Sequence, residues 1–473
     1  MSFPTAQPKN PFPAPGPDAQ DGERFRTYEE AEQYLAEFTD YERMVKGTHY
    51  PEDLFDLRRI EELLKRVGDP HRKLRGLHIA GTKGKGSTAI FSDALLRAHG
   101  LVSGLYTSPH LVDKEERIQV QGEPLRKEEF LAWMNVLRRS LLALKDSALA
   151  PTFFDIMTTV CFLHFQARGV EAAVLEVGLG GRLDSTNVFQ PDVCLITRLG
   201  MDHMEKLGNT LASIAAEKAG IIKKNIPVVS LPQEPEAEAV LRDRCAQMEA
   251  PLYRLGEDIR VEEDRNAGAR AFRVETPGGI YPALELTVLG RHQRLNAAAA
   301  IAGVEIFLSR TGTMPLEPDR VRQALRHVRI PGRMDLLGTS PLLVVDGAHN
   351  PLSIETLIRA VREELRFEDL HVVFACSKDK PIREMLALLA PQARRWTLAW
   401  LDFPRIEDPE TVRRWLEEID PAAACAVTRS PEAALQDAFA RSGPEDCILC
   451  CGSFYLVGEI FKRLDASKKV VQA

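Results

Sequence analysis

No run in the 473-residue sequence is apolar over the roughly 18–20 residues a helix needs to cross a bilayer, so no membrane-spanning helix is expected. Basic residues are outnumbered: 61 Lys and Arg stand against 68 Asp and Glu, and the net charge of −7 argues against a large nucleic-acid surface. The N-terminus has neither the basic start nor the apolar core of a secretory leader. Its prolines (Pro4, Pro8, Pro11, Pro13, Pro15, Pro17) make residues 1–23 read as a disordered tail. The eight cysteines are mostly scattered. Cys447 and Cys450 have CxxC spacing, but no second Cys or His pair completes a zinc site. These two, with Cys376 and Cys425, read as small hydrophobes in a reducing cytoplasm. Short-period repeats are missing as well.

What is present is an ordinary globular composition, 44% hydrophobic and 27% charged, in a chain long enough for two or three domains. From Gly76 onward, β-branched runs alternate with helix-length amphipathic stretches. Leu77–Ala80, Leu101–Tyr106, Ala172–Val177, Val193–Thr197 and Ile226–Val229 read as strands, the pattern of an α/β domain with a largely parallel sheet. Between Leu252 and Leu289 the alternation predicts a small antiparallel excursion, followed by a helix over His292–Leu308. After Pro331-Gly332, strands at Leu342–Val345, His371–Phe374, Trp396–Trp400, Ala424–Val427 and Cys447–Cys450 each precede a helical segment, which is a Rossmann-like series. The expected division is therefore a tail (1–23), an N-terminal domain with a P-loop (24–330) and a C-terminal Rossmann-like domain (331–473). A cleft between the two sheets is a common place for a ligand.

Gly81-Thr82-Lys83-Gly84-Lys85-Gly86-Ser87-Thr88 follows a strand and opens a helix expected over Ala89–Ala98. Glycines let backbone N–H groups curl around phosphate oxygens, lysine neutralises charge, and the helix N-terminus adds its positive end. The segment departs from GxxxxGK[ST], since position 79 is Ile and Gly86 follows the lysine, but its context still points to phosphate. Glu176, ending a strand before Gly178-Leu179-Gly180-Gly181, suits either a metal at the sheet edge or a helix cap. His203, after Gly200-Met201-Asp202, reads as a packing residue or a ligand. Lys218, at the end of the helical stretch Leu211–Ala219, is on its own a dipole-compensating surface lysine. Asp346, His349 and Asn350 sit at a strand–turn–helix junction, where Asn350 suits a cap. Arg333 beside the hinge suits a phosphate or open solvent.

Together these segments resemble the folylpolyglutamate synthase family of the Mur-ligase superfamily, whose members are often bifunctional with dihydrofolate synthase. The likeness runs in order from Thr27-Tyr28-Glu29-Glu30-Ala31 to Gly452–Gly458, through His78–Thr88, Tyr106–Val112, Glu176–Asn187, Glu217–Ile222, Pro331–Arg333 and Asp346–Pro351. It implies an ATP-dependent ligase that adds L-glutamate to folate or dihydropteroate through an acyl phosphate, acting as a cytoplasmic monomer. By that resemblance Gly84, Lys85, Gly86 and Ser87 hold ATP phosphates, Asn296 meets the adenine, and Arg333, Asp346 and His349 reach the nucleotide. Ser108, Glu176, His203 and a carbamylated Lys218 would serve one or two magnesium ions. Lys85, Lys218 and His349 would be catalytic. Thr152, Phe153, Phe154, Asp155, Leu183, Asp184 and Ser185 would line the pterin side. Three features depart from the pattern: Lys83 in place of Asn, Asp155 in place of Glu, and the charged loop Asp113-Lys114-Glu115. The alternatives weighed are a Mur-type ligase acting on a peptidoglycan precursor and a nucleotide-binding protein without catalysis.

Overall fold

The computed structural model describes residues 24–40, 56–202, 204–264, 266–268 and 270–471. The tail and His203 lie outside them. Strands β1 (Gly76–Ala80), β2 (Ser103–Tyr106), β3 (Ile118–Val120), β4 (Glu123–Pro124), β5 (Ala172–Glu176), β6 (Val193–Ile196), β7 (Val228–Ser230) and β8 (Leu252–Arg254) form one sheet. Their order is β4-β3-β2-β5-β1-β6-β7-β8. Only the β2–β3 and β3–β4 pairings are antiparallel. Every residue of β1 and β5 is buried, as expected of strands covered on both faces. One face packs against helices Lys85–Ala98 and Arg291–Thr311 through Leu77, Ile79, Phe91 and Ile301. The other is covered by aromatic residues including Phe130, Trp133, Phe154 and Phe162.

Chain order reverses at β1. After β1 the chain crosses to β2 and returns through β5 beside β1, then continues on β1's other side with β6. A crevice opens at the carboxyl ends of strands where such a switch occurs.

The stretch after Leu252 differs from expectation. β8 pairs in parallel with β7 and extends the main sheet. The antiparallel unit begins only at β9 (Arg260–Glu263), with β10 (Phe272–Thr276) and β11 (Gly279–Leu284). The helix after the P-loop also starts at Lys85, four residues earlier than expected, because Gly84 takes a left-handed φ of 90° and serves as its N-cap.

The C-terminal sheet has the order β12-β13-β17-β14-β15-β16, from β12 (Asp335–Thr339), β13 (Leu342–Val345), β14 (Leu370–Phe374), β15 (Arg395–Ala399), β16 (Ala424–Thr428) and β17 (Cys447–Cys451). The five expected strands are parallel, and the unanticipated β12 is an antiparallel edge on β13. Cys447 and Cys451 pack in one core of this sheet and Cys450 in the other. Side chains three apart on a strand face opposite sides, so the CxxC spacing cannot chelate. Among the described residues, no helix is long and apolar enough to cross a membrane.

Candidate active site

A cavity of about 950 Å³ lies where the carboxyl edges of the two large sheets meet. The segment after β1 forms its floor. Thr82 and Lys83 both donate backbone N–H bonds to the Arg198 carbonyl, at 3.0 and 3.1 Å, which fastens the loop to the segment after β6. A Cβ at Gly84 would lie 2.5 Å from Asn296 Oδ1, so only glycine lets the turn approach Asn296 this closely. With no side-chain cap, the first-turn N–H groups of helix Lys85–Ala98 remain available to an anion.

Lys85 Nζ stands 3.9 Å from Glu176 Oε1. The Ser108 backbone N–H donates to Glu176 Oε2 at 3.0 Å, so the carboxylate is held between the segments after β1, β2 and β5. Burial raises the Glu176 pKa, and Lys85 opposes the rise. Lys83 Nζ pairs with Asp202 Oδ2 at 3.3 Å. Lys218, 5% exposed, is no surface residue: it lies beneath the P-loop and donates to the Gly81 carbonyl at 2.8 Å. Burial first, then neighbouring Lys85, lowers its pKa to about 7.

The C-terminal half supplies the opposite wall. Asp346 accepts from the Met334 N–H at 2.8 Å and the Ala348 N–H at 2.7 Å, tying the connector to the end of β13. His349 Nδ1 donates to the Gly347 carbonyl at 2.8 Å, which leaves Nε2 with its lone pair. Burial lowers the His349 pKa to about 3, so the ring is neutral. Arg333 lies with its guanidinium carbon 4.5 Å from the Phe454 ring centre. Asn350 is the expected cap, accepting from the Ser353 N–H at 2.9 Å.

Gly84, Lys85, Gly86, Ser87, Ser108, Glu176, Asn296, Arg333, Asp346 and His349 thus line one cavity, from positions up to 265 residues apart. None of Thr152, Phe153, Phe154, Asp155, Leu183, Asp184 or Ser185 lines it. Thr152 and Asp155 cap the helix Phe153–Ala167 reciprocally. Ser185 Oγ donates to Asp155 Oδ1 at 2.6 Å, and Asp184 accepts from the Leu179 N–H at 2.9 Å. Phe154 is buried against Tyr106. Buried carboxylates need such partners.

Two further residues line the cavity. Arg117, 1% exposed, donates to His110 Nδ1 at 2.9 Å. Trp400, 45% exposed at the end of β15, is an aromatic left uncovered on a cavity wall.

A phosphate loop at a topological switch point, facing a second α/β unit across a charged cavity, defines a Mur-type ligase. Residues 79–304 match the Mur ligase middle domain, and residues 332–454 match the Mur ligase glutamate ligase domain. The chain is 35% identical to a dihydrofolate synthase/folylpolyglutamate synthase of Bacillus subtilis, covering 86% of this chain and 94% of that one. It is 34% identical to a folylpolyglutamate synthase of Lacticaseibacillus casei, over 87% and 95%. The structure of Mycobacterium tuberculosis folylpolyglutamate synthase complexed with ADP superposes with a TM-score of 0.81 at 29% identity, covering 92% and 98%. Escherichia coli FolC in complex with DHPP and ADP gives 0.78 at 27%, covering 93% and 98%. The chain belongs to the dihydrofolate synthase/folylpolyglutamate synthase family.

Proposed function

We propose that this protein is an ATP-dependent ligase that joins the amine of L-glutamate to a carboxylate of a folate or dihydropteroate, and that the cavity between the sheets is its active site. The observation that carries this reading is the convergence of Lys85, Glu176, Ser108 and Arg333 on one cavity, from both halves of the chain. We take residues 24–330 and 331–473 as the two working units.

A carboxylate does not condense with an amine at neutral pH, because oxide is a poor leaving group. Attack of the folate carboxylate on the γ-phosphorus of ATP forms an acyl phosphate and releases ADP. Attack of the glutamate amine on the acyl carbon then forms the amide, with loss of phosphate and one proton. Both partners of the first step are anionic, so charge neutralisation and positioning dominate. Lys85 and the uncapped helix N-terminus neutralise the phosphates from one side and Arg333 from the other. Asn296, against Gly84, is placed for the base. The neutral His349 offers a hydrogen-bond acceptor to the nucleotide or the incoming amine.

The donor set also fits magnesium, which prefers oxygen ligands and keeps several waters. Glu176, the Ser108 hydroxyl and His203 would hold one ion, and a carbamylated Lys218 would support a second. Magnesium would supply charge neutralisation across the β- and γ-phosphates. Carbamylation is consistent with a buried amine whose lowered pKa leaves much of it unprotonated near pH 7 to react with carbon dioxide. Closure of the two halves would keep water from the acyl phosphate.

Lys85→Ala should weaken ATP binding and abolish turnover without unfolding the protein. Arg333→Ala should raise the KM for ATP although it lies 248 positions away. Near-normal activity of Lys85→Ala at saturating ATP would refute the phosphate assignment.

A further inference from the structure

The P-loop carries two lysines, one on each side of Gly84, and each faces a carboxylate. Lys85 faces Glu176 at 3.9 Å, and Lys83 faces Asp202 at 3.3 Å. We propose that Lys83 is a second phosphate-binding lysine of this site, and that Asp202 competes with the nucleotide for its ammonium. This rests on the nucleotide reading above and adds to it a residue and a counter-ion.

Three observations support the exchange. First, Lys83 and Asp202 both line the cavity beside Lys85 and Arg333, so the ammonium is within the space the phosphates would fill. Second, the pair is not what holds its two segments together. The Thr82 and Lys83 N–H groups are bonded to the Arg198 carbonyl, the Thr82 hydroxyl donates to the Gly200 carbonyl at 3.1 Å, and the Gly200 N–H returns a bond to that hydroxyl at 3.1 Å. With the backbones already joined, the side-chain pair can break without moving either loop. Third, the two side chains keep 33% and 20% of their exposure and line the cavity, so an anion entering it can reach the ammonium. A di- or triphosphate carries more charge than one carboxylate and offers more acceptor oxygens, so it is the stronger partner for a nearby ammonium.

Competition makes the two residues act with opposite sign. Removing Lys83 removes a phosphate contact, whereas neutralising Asp202 frees the lysine for the phosphate. The test is ADP binding by isothermal titration calorimetry on the full chain, in EDTA so that metal binding does not enter. Lys83→Met should weaken ADP about tenfold, the loss of one charge-assisted contact. Asp202→Asn should tighten it about threefold, and that gain should vanish in the Lys83→Met background. Lys83→Arg should stay within about twofold of the wild type, since it keeps the charge. Unchanged affinity in Lys83→Met, or equal or weaker binding in Asp202→Asn, would overturn the proposal. If Lys83→Met does not fold, Asp202→Asn decides alone: tighter binding supports the exchange, and equal or weaker binding overturns it. Wild-type protein that fails to bind ADP at all would instead overturn the nucleotide reading, a result distinct from the others.

Discussion

The Lys218 ammonium donates to the Gly81 carbonyl at 2.8 Å, joining the end of one helix to the first residue of the phosphate loop. That single contact turns a lysine with every sequence mark of a surface residue into one buried beneath the nucleotide site. Burial and Lys85 disfavour its charge, while Asp202 and Asp184 oppose them. A carbamate at this position would carry a negative charge and could face a metal.

Lys218→Ala should therefore lose most activity and regain part of it when short carboxylic acids are added, because they can fill the vacated space. Lys218→Arg should not be rescued, since its side chain occupies that space with the wrong charge. Assays with and without added bicarbonate on carbon-dioxide-depleted enzyme check the point. Wild-type rates in Lys218→Ala would remove the residue from the mechanism.

A second prediction concerns how the two halves touch. In the helix that begins at Phe454, a Cβ at Gly458 would lie 2.1 Å from the Leu111 carbonyl. The Leu111 loop cannot readily give way. Glu116 accepts from the N–H groups of Leu111, Val112 and Asp113, and Lys114 pairs with Glu32 at 2.6 Å. Gly458→Ala should cost about 1–3 kcal/mol in stability by overpacking. It should also lower kcat roughly tenfold by shifting the C-terminal groups from the phosphates. A variant with unchanged melting temperature and kcat would show that the contact yields freely.

The same loop shows what was legible in the sequence. Asp113-Lys114-Glu115 departs from the family pattern as a run of charge, which alone suggests a solvated loop. In the structure Lys114 and Glu115 are buried, with Tyr28 and Glu32 of the first helix as partners. Local motifs found the P-loop, Glu176 and the strand–turn–helix at Asp346, because each chemistry-bearing residue there sits at a strand end with its glycines beside it. Asp155 and Asp184 are ambiguous in the sequence for a physical reason: a capping box and a substrate-binding acid use the same residue types. Trp400 had no local signal, since its meaning comes from the cavity it faces. Most strands were legible from apolar runs, but not β12, whose partner is set by the hairpin, nor the parallel pairing of β8 with β7.

The third prediction follows from His371, buried in the C-terminal sheet. Its Nε2 meets Thr397 Oγ1 at 2.8 Å, and because that hydroxyl donates to Asp437, the imidazole N–H must donate to it. Burial lowers the His371 pKa to about 4 from an ordinary 6.5. Between those values the unfolded chain binds a proton that the folded chain refuses, so stability rises with pH through this window. The contribution is intact above about pH 6.5 and falls away as the pH drops toward 4, on the order of a few kcal/mol. His371→Gln can keep a donor to Thr397 but does not titrate. Its melting temperature should therefore fall less steeply than the wild type's between pH 6.5 and 4. Parallel curves for the two proteins would show that His371 is not the group concerned.

The central claim, glutamate ligation in this cavity, is tested most directly by measuring ADP release from purified protein given ATP, magnesium, L-glutamate and either tetrahydrofolate or dihydropteroate. The account predicts ADP only when nucleotide, glutamate and pteridine acid are all present, with a product heavier by one glutamyl unit for each ADP formed. ADP release that ignores the pteridine acid, or no release with either acid while a peptidoglycan precursor supports it, would contradict the account.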